Sequence, residues 1–295
     1  GRGQGALRPV SMAMVVTDLD GTLLDTRAQL GSENRRTLER LGETGSLRVI
    51  ATGRSLHSAE LVLDAEFPID YLVFSSGAGI LDWSNRELLA AHAMDAEHVQ
   101  GALDLLRAKG LAFMVHLGVP DNHHFYYHAG ADQVGGPAIG QATENNPDFH
   151  RRCQRYERFA QPLDGRSVGV QEVSQFLVIE APGSESHYDA LVAELTHLNV
   201  VLTTSPLDHC SRWIEIFPAS ASKSQAADWL RHRHGVDHGA VVAVGNDYND
   251  RDLLEWARHS YVVSNAPAAL KSRYAVVSSN DEQGFAEAVS MCGFL

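Results

Sequence analysis

Short apolar runs alternate with amphipathic segments over the first part of the chain. The runs at 14–18 (MVVTD), 47–52 (LRVIAT) and 71–75 (YLVFS) are mainly apolar, which is typical of strands buried on both faces. The spacing of apolar positions at 32–41 and 56–65 predicts helices, the first with Ser32 as its N-cap. This order of strands and helices predicts a parallel sheet with right-handed crossover connections.

The same alternation returns near the C-terminus. Residues 240–244 (AVVAV) predict another buried strand, and residues 250–257 predict a helix. The alternation continues through the segments at 261–263, 267–271, 275–277 and 284–291. We therefore expect both ends of the chain to build one α/β domain with a parallel sheet.

The middle of the chain has a different pattern. Strand-like stretches such as LAFMVHL and QFLVIEA lie between helical ones, and the loop PDNHHFYYHAGADQVGG is rich in histidine and glycine. This pattern predicts an α+β domain inserted into the parallel-sheet domain. We place the insert at 84–217 and the discontinuous α/β core at 1–83 and 218–295.

Composition narrows the class of protein. The chain has 295 residues, 44% of them hydrophobic, which is enough for a substantial core. Its net charge of −13 disfavours binding to nucleic acid. Its three cysteines, Cys153, Cys210 and Cys292, have no metal-binding spacing and are expected to be free thiols in a reducing cytoplasm. No apolar run is long enough for a membrane span or a secretory signal, so no membrane partner is expected.

The strongest chemical signal is the motif Asp18-Leu19-Asp20-Gly21, directly after the first predicted strand. Ligands bind at the carboxyl ends of parallel strands. Asp18 is placed to attack phosphorus as a carboxylate nucleophile, and Asp20 to protonate the leaving group and then activate water. Gly21 allows the sharp turn that follows. The alternative is an ordinary Asp-Gly turn.

Three weaker motifs follow further along the chain. Thr52-Gly53-Arg54 ends a predicted strand and is suited to hold a phosphoryl group, or simply to cap a helix. Lys223 lies near a helix start, where it is either a phosphate-neutralising cation or a surface lysine. The loop GNDYND, residues 245–250, offers oxygen ligands for Mg²⁺, or is a polar loop with Asx turns.

In this order the four motifs resemble those of the haloacid dehalogenase superfamily of phosphotransferases. The similarity extends to SSGAGI, to IEIFPASASKSQAADWL and to VSNAPAALKSRYAVVSSNDEQGFAEAV, which look like the Cof-type branch of sugar phosphatases. In that branch a large α+β cap is inserted between the third strand and the motif lysine, where this chain has its insert. The resemblance thus implies a Rossmann-like core with a cap domain.

The resemblance also implies a mechanism and a set of site residues. It implies a Mg²⁺-dependent phosphatase with Asp18 as nucleophile, Asp20 as acid and base, and an aspartyl-phosphate intermediate. The implied catalytic residues are completed by Thr52 and Lys223. The implied phosphate-binding residues are Leu19, Thr52, Gly53, Arg54 and Lys223. The implied metal ligands are Asp18, the Asp20 carbonyl, Asn246 and Asp250.

Two residues depart from the branch pattern. Ser76 stands where the branch usually has asparagine, and Asn246 stands where the fourth motif usually begins with aspartate. An amide oxygen still coordinates Mg²⁺ but carries no charge. We expect Asn246 to be the loop's direct ligand, with Asp250 as second choice and Asp247 turned away as a loop cap.

The cap is expected to select the substrate, a small phosphorylated metabolite and most naturally a sugar phosphate. His124 and Tyr126 are the predicted sugar contacts, in a cluster with His123 and Tyr127; the alternative is a strand whose faces alternate between core and solvent. The same motifs also fit a sugar phosphomutase or a non-catalytic binding protein that kept the fold. The sequence predicts neither the oligomeric state nor the individual substrate.

Overall fold

The computed structural model describes residues 12–130, 146–163 and 172–294, so the part of the loop PDNHHFYYHAGADQVGG that follows Gly130 lies outside the described residues. The strands are β1 Met14–Thr17, β2 Leu47–Ala51, β3 Tyr71–Phe74, β4 Gly79–Asp82, β5 Leu88–Ala91, β6 Phe113–Leu117, β7 Phe125–His128, β8 Ala160–Pro162, β9 Val173–Ile179, β10 Leu198–Thr204, β11 Arg212–Pro218, β12 Val241–Gly245, β13 His259–Val263 and β14 Ala275–Val277. The α-helices are α1 Ser32–Glu43, α2 Leu56–Glu60, α3 Ala96–Ala108, α4 Pro147–Arg155, α5 Tyr188–Glu194, α6 Lys223–His234, α7 Arg251–Trp256, α8 Ala268–Lys271 and α9 Gly284–Cys292.

The larger sheet has eight strands in the order β14-β13-β12-β1-β2-β3-β4-β5. Its first six strands are parallel, which confirms the predicted sheet, and β4 and β5 extend it in antiparallel fashion. Strands β1 and β12 are buried along their whole length because helices cover both faces. Thr17 aligns with Ile50 and with Val244, so three strands end at the same edge of the sheet.

Two helix predictions need correction. Helix α1 begins at Ser32, but its N-cap is Gly31, and no side chain of that residue closes the end. Instead Gln283 Oε1 accepts from the N–H of Glu33 at 2.6 Å, so the cap comes from a residue distant in sequence. Helix α2 ends at Glu60 rather than at residue 65, because the following residues turn inward to bury Leu63.

The smaller sheet has six strands in the order β10-β11-β9-β6-β7-β8. Helices α3 and α5 cover one of its faces, where residues such as Leu103, Leu191 and Ile216 form a core. Helix α4 packs on the other face through Phe149 and Cys153. The second face is the one directed at the larger sheet, because Phe217 on β11 packs into the core of that sheet.

The border between the two sheets differs from the expected one at residue 84. Strand β5 pairs with β4 inside the larger sheet, with Gly79 opposite Ala91. The half-exposed, apolar LLAA pattern of β5 gave no signal for this edge position. We therefore propose that the inserted cap begins after Ala91 and returns to the core within β11.

Contacts between the sheets hold the cap over the strand-end edge of the core. Asn122 of the cap donates to Ser75 Oγ of the core at 2.6 Å. Asp247 of the core accepts from the backbone N–H of Thr204 in β10 at 2.9 Å. The rings of His57 and His123 stack across the border with their centroids 4.5 Å apart. The edge that carries the sequence motifs thus lies between the two sheets.

Candidate active site

Asp18 and Lys223 meet at the end of β1 although they are 205 residues apart. The backbone N–H of Asp18 continues the pairing with β12 by donating to the Val244 carbonyl at 2.9 Å. Lys223 is the first residue of α6, whose N-cap is Ser222. Its Nζ donates to Asp18 Oδ1 at 2.8 Å and to Asp250 Oδ1 at 2.6 Å. Lys223 is only 1% exposed, which excludes the surface-lysine alternative.

The charges around Lys223 are unbalanced. Burial and the repulsion from Asp250 raise the pKa of Asp18 to about 7, and Lys223 opposes this shift. Burial on its own would lower the pKa of Lys223, but the attraction of Asp18 and Asp250 outweighs it and raises that pKa. Two buried carboxylates therefore share one lysine. When both are ionised, one negative charge is not neutralised, so the site is suited to bind a further cation.

Asp250 is fully buried and both of its oxygens are engaged. Oδ1 accepts from Lys223, and Oδ2 accepts from the backbone N–H groups of Asn246 at 2.8 Å and Asp247 at 3.1 Å. Asp247 forms a capping box with Asp250 and also bonds Thr204 of the cap, in line with its expected role as a loop cap. The geometry thus favours Asp250 as the group that orients the lysine and the loop.

Asn246 lies against the DLDG turn. Gly21 has a φ of +72°, and a Cβ added there would lie 2.5 Å from Asn246 Nδ2. Glycine at this position therefore permits both the turn and the approach of the amide. The amide is thereby placed beside the segment that carries Asp18 and Asp20. Asn246 remains our predicted ligand because its side chain, unlike that of Asp250, is not committed to the lysine.

The donor chemistry fits Mg²⁺ without a cluster of acidic side chains. Within the described ranges, no three His, Cys, Asp or Glu side chains are gathered as a metal site. A cluster of that kind consists of His, Cys, Asp or Glu side chains alone, whereas the expected ligands include the backbone carbonyl of Asp20 and the side-chain amide of Asn246. Asp18 Oδ2 accepts only a long bond of 3.3 Å from Thr22 among the contacts of the described residues. A hard cation that keeps several waters suits these oxygen ligands.

Asp20 is held by Arg54 in a bidentate ion pair. Arg54 Nε donates to Asp20 Oδ2 at 2.7 Å, and Nη2 donates to Oδ1 at 2.8 Å. Its Nη1 donates to the carbonyl of Ser58 at 2.8 Å. The Arg54 guanidinium, which the sequence predicted to bind phosphate, therefore binds the carboxylate of Asp20, the predicted acid and base. In this position it fixes the orientation of Asp20.

The other predicted phosphate contacts lie at the same edge. Thr52 is buried and its Oγ1 accepts from the backbone N–H of Arg54 at 3.1 Å, which leaves the hydroxyl proton to donate. The side chain of Leu19 packs in the core, so only its backbone is suited to reach a phosphate. Around Gly53, a Cβ would lie 3.7 Å from Asn249 Nδ2, 3.7 Å from Ser76 Oγ and 4.0 Å from Glu215 Oε1.

Glu215 brings the cap into the site, and the sequence interpretation missed it. It lies on β11, is 5% exposed and accepts from Gln175 Nε2 at 2.9 Å. Burial raises its pKa to about 7 against the attraction of Lys223. The available signal was its position in WIEIF, where Glu215 shares the buried face with Trp213 and Phe217. A carboxylate in the apolar row of a strand indicates a site.

The two predicted substrate contacts in the cap, Tyr126 and His124, lie in different places relative to the core. Tyr126 packs on the face covered by α3 and α5, which is opposite to the face directed at the core. This position does not favour Tyr126 as a substrate contact, because alternate residues of β7 face opposite sides of the sheet; the contact itself stays a prediction. His124 precedes β7 and its ring lies 4.4 Å from that of His123 and 5.0 Å from that of Phe159. His124 remains a prediction at the border between cap and core.

Arg54 offers a test that separates positioning from phosphate binding. Arg54→Ala should lower kcat by about 10- to 100-fold, because Asp20 loses the two guanidinium hydrogen bonds that orient it. Inhibition by inorganic phosphate should stay nearly constant, and Arg54→Lys should recover only part of kcat because an ammonium cannot make the bidentate contact. Steady-state kinetics with phosphate as inhibitor measures both. A large rise in the inhibition constant for inorganic phosphate, with kcat preserved, would show that Arg54 binds the phosphate, as the sequence predicted.

Comparison with known proteins defines the class. The sequence profile of the haloacid dehalogenase-like hydrolases matches residues 15–289. The chain belongs to this family and is a phosphatase. Among the described residues no helix is both long and apolar enough to cross a bilayer.

Individual relatives resemble the chain over nearly its whole length. One is the 5-amino-6-(5-phospho-D-ribitylamino)uracil phosphatase YwtE of Bacillus subtilis, 27% identical over 93% of this chain and 96% of its own. The structure of the phosphatase BT1666 from Bacteroides thetaiotaomicron superposes with a TM-score of 0.76 at 18% identity and covers both chains fully. The subclass IIB sugar phosphatase BT4131 gives a TM-score of 0.72 at 17% identity, over 96% of this chain and 100% of its own. The two structures support the same fold.

Proposed function

We propose that the protein is a Mg²⁺-dependent phosphomonoester hydrolase that acts through an aspartyl-phosphate on Asp18. The carrying observation is the buried contact between Asp18 and Lys223 at 2.8 Å, at the strand-end edge that also presents Thr52 and Asp20. A carboxylate nucleophile beside a fixed cation and a hydroxyl donor is the arrangement that phosphoryl transfer needs.

The reaction divides into two steps on these residues. Asp18 attacks phosphorus, the ester P–O bond breaks, and Asp20 gives its proton to the departing alkoxide. Water then attacks the phosphorus of the acyl phosphate while Asp20 takes a proton from that water. The bond between phosphorus and Asp18 breaks, which frees phosphate and restores the Asp18 carboxylate. Lys223 and the Thr52 hydroxyl hold the phosphoryl oxygens throughout. Mg²⁺, held by Asp18, the Asp20 carbonyl and Asn246, would supply further neutralising charge.

The substrate we propose is a small metabolite phosphate of the sugar or polyol type. The Bacillus subtilis relative YwtE is a phosphatase of 5-amino-6-(5-phospho-D-ribitylamino)uracil, and BT4131 is a sugar phosphatase. Both kinds of substrate carry a phosphate on a polyhydroxylated carbon chain. The cap over the site edge is suited to enclose such a group and to exclude water. We also propose a cytoplasmic location, because Cys153, Cys210 and Cys292 are all unpaired.

Phosphate release from a panel of sugar, polyol and nucleotide monophosphates tests this function. We expect turnover with Mg²⁺ and its loss with a chelator. Recovery of an isomeric sugar phosphate without free phosphate would instead identify a mutase. Failure to release phosphate from every ester, with folded protein and Mg²⁺ present, would overturn the proposal.

Asn246 should limit the affinity for Mg²⁺ in the absence of substrate. Asn246→Asp should tighten Mg²⁺ binding roughly tenfold, because the number of charged ligands sets the affinity of such sites. Calorimetric titration of the apo protein measures the effect. Asn249→Asp, which adds the same charge elsewhere in the loop, is the matched control and should have a smaller effect. Unchanged affinity in Asn246→Asp would move the ligand assignment to Asp250.

A further inference from the structure

A row of polar side chains crosses the core-facing side of the cap sheet. His116 on β6 is directly opposite Gln175 on β9, and Gln175 donates to Glu215 on β11 at 2.9 Å. His116 Nδ1 bonds the Asn122 carbonyl at 2.7 Å, and Asn122 Nδ2 donates to Ser75 Oγ of the core. The row therefore begins and ends at the core, since Glu215 also reaches the neighbourhood of Gly53.

Several atoms of this row have unused hydrogen-bonding capacity. His116, Asn122 and Glu215 are 2%, 1% and 5% exposed. His116 Nε2, Asn122 Oδ1 and Glu215 Oε2 have no hydrogen-bond partner among the described residues, and neither has the nearby Ser76 Oγ. Buried polar atoms are nearly always paired, so a concentration of unpaired ones beside a catalytic site indicates a ligand.

The type of these atoms defines the chemistry of the ligand. Burial lowers the pKa of His116 to about 3, so the ring is neutral, and its Nδ1 proton is donated to a carbonyl. Nε2 is therefore a bare acceptor. Asn122 Oδ1 is an acceptor as well. Burial raises the pKa of Glu215 to about 7, so its Oε2 accepts when the carboxyl is ionised and is able to donate when it is protonated. Ser76 Oγ both donates and accepts. Hydrogen-bond donors on the ligand are needed to satisfy this set.

An anionic leaving group fits this row poorly, because the Glu215 carboxylate would repel it. In the described part of the chain, two cations act on Glu215. Lys223 is committed to Asp18 and Asp250. The Nε of Arg152 is unpaired among the described residues, but its guanidinium is stacked over Tyr156 and Trp213 at 4.5 Å and 5.1 Å from the ring centroids. Acceptors thus outnumber donors where the row approaches Gly53. Hydroxyl groups suit it best, since each donates a proton and also accepts one.

We propose that His116, Asn122 and Glu215 form the subsite that binds the hydroxyl groups of a polyol or sugar leaving group. This inference rests on the proposed function and specifies its substrate class. Glu215 lies nearest to the phosphate-binding loop and binds the hydroxyl closest to the ester. His116 and Asn122 bind hydroxyls further along the chain. The subsite replaces Tyr126 as the source of specificity in the cap.

Glu215→Gln tests the subsite with two substrates, ribitol 5-phosphate and phenyl phosphate, whose leaving group has no further hydroxyl. The loss in kcat/KM should be about 10- to 100-fold greater for ribitol 5-phosphate, because an acceptor becomes a donor at an unchanged shape. His116→Phe, which keeps a ring and removes the acceptor, should shift the ratio in the same direction. Thermal unfolding of each variant shows whether the fold is retained.

Glu180→Gln is the matched control. Glu180 is a second buried glutamate of the cap, but it is paired with Arg212 at 2.8 Å. Its replacement should leave the ratio between the two substrates constant. Equal losses on both substrates in Glu215→Gln and His116→Phe would overturn the subsite and assign these residues to cap packing. If the wild-type protein hydrolyses no phosphate ester at all, the proposed function itself is refuted. If it hydrolyses phenyl phosphate but not ribitol 5-phosphate, only the subsite is refuted.

Discussion

Asp18→Asn should reduce phosphate release by roughly 10⁴-fold or more, the scale seen when a covalent nucleophile is removed. The amide has nearly the same shape but is not a useful nucleophile towards phosphorus. The fold should persist, because Asp18 is buried with a pKa raised to about 7 and a neutral group is tolerated at such a position. Single-turnover assays in excess Mg²⁺ measure the loss directly.

The matched comparison is Asp20→Asn. Asp20 acts on protons rather than on phosphorus, so its replacement should slow each step by roughly 10²-fold. A denaturing trap during turnover should recover labelled phosphate on wild-type protein and none on Asp18→Asn. Substantial activity in pure Asp18→Asn protein, or label retained on it, would refute the covalent mechanism on this residue.

Lys223→Met should remove activity and also destabilise the protein by about 3–5 kcal/mol, the usual cost of leaving a buried charge without its partner. Lys223 neutralises two buried carboxylates, Asp18 and Asp250, at 2.8 Å and 2.6 Å. Methionine fills a similar volume, so the loss arises from charge rather than from a cavity. Chemical denaturation of the metal-free protein gives the change in free energy of unfolding.

A double variant separates charge from packing. Adding Asp18→Asn to Lys223→Met removes one of the two repelling carboxylates and should restore part of the stability, while activity stays lost. Lys271→Met is the control, because that lysine is exposed and bonds only the carbonyl of Ser264 among the described residues. Equal stability of Lys223→Met and Lys271→Met would show that the buried carboxylates are protonated and need no cation.

The sequence predicted the parallel sheet and the convergence of its candidate site residues because three of the four motifs directly follow a buried apolar strand. Strands such as β1 and β12 are recognisable from composition alone, and parallel strands end at one edge, so Asp18, Thr52 and the loop around Asn246 had to converge. The sequence did not show that Arg54 binds Asp20, because a guanidinium near a strand end fits either a phosphate or a carboxylate.

Tertiary structure alone decided the features that depend on contacts distant in sequence. Gln283 caps α1 across 250 residues, which no local capping signal at Ser32 predicts. The polar row that contains the proposed subsite gathers His116, Gln175 and Glu215 from β6, β9 and β11, which are neighbours in the sheet although they are far apart in the chain. Each of these polar residues looks like an isolated exception in an apolar strand. Only the pairing register places them on one face, where we propose that the unpaired atoms of His116 and Glu215 bind the substrate.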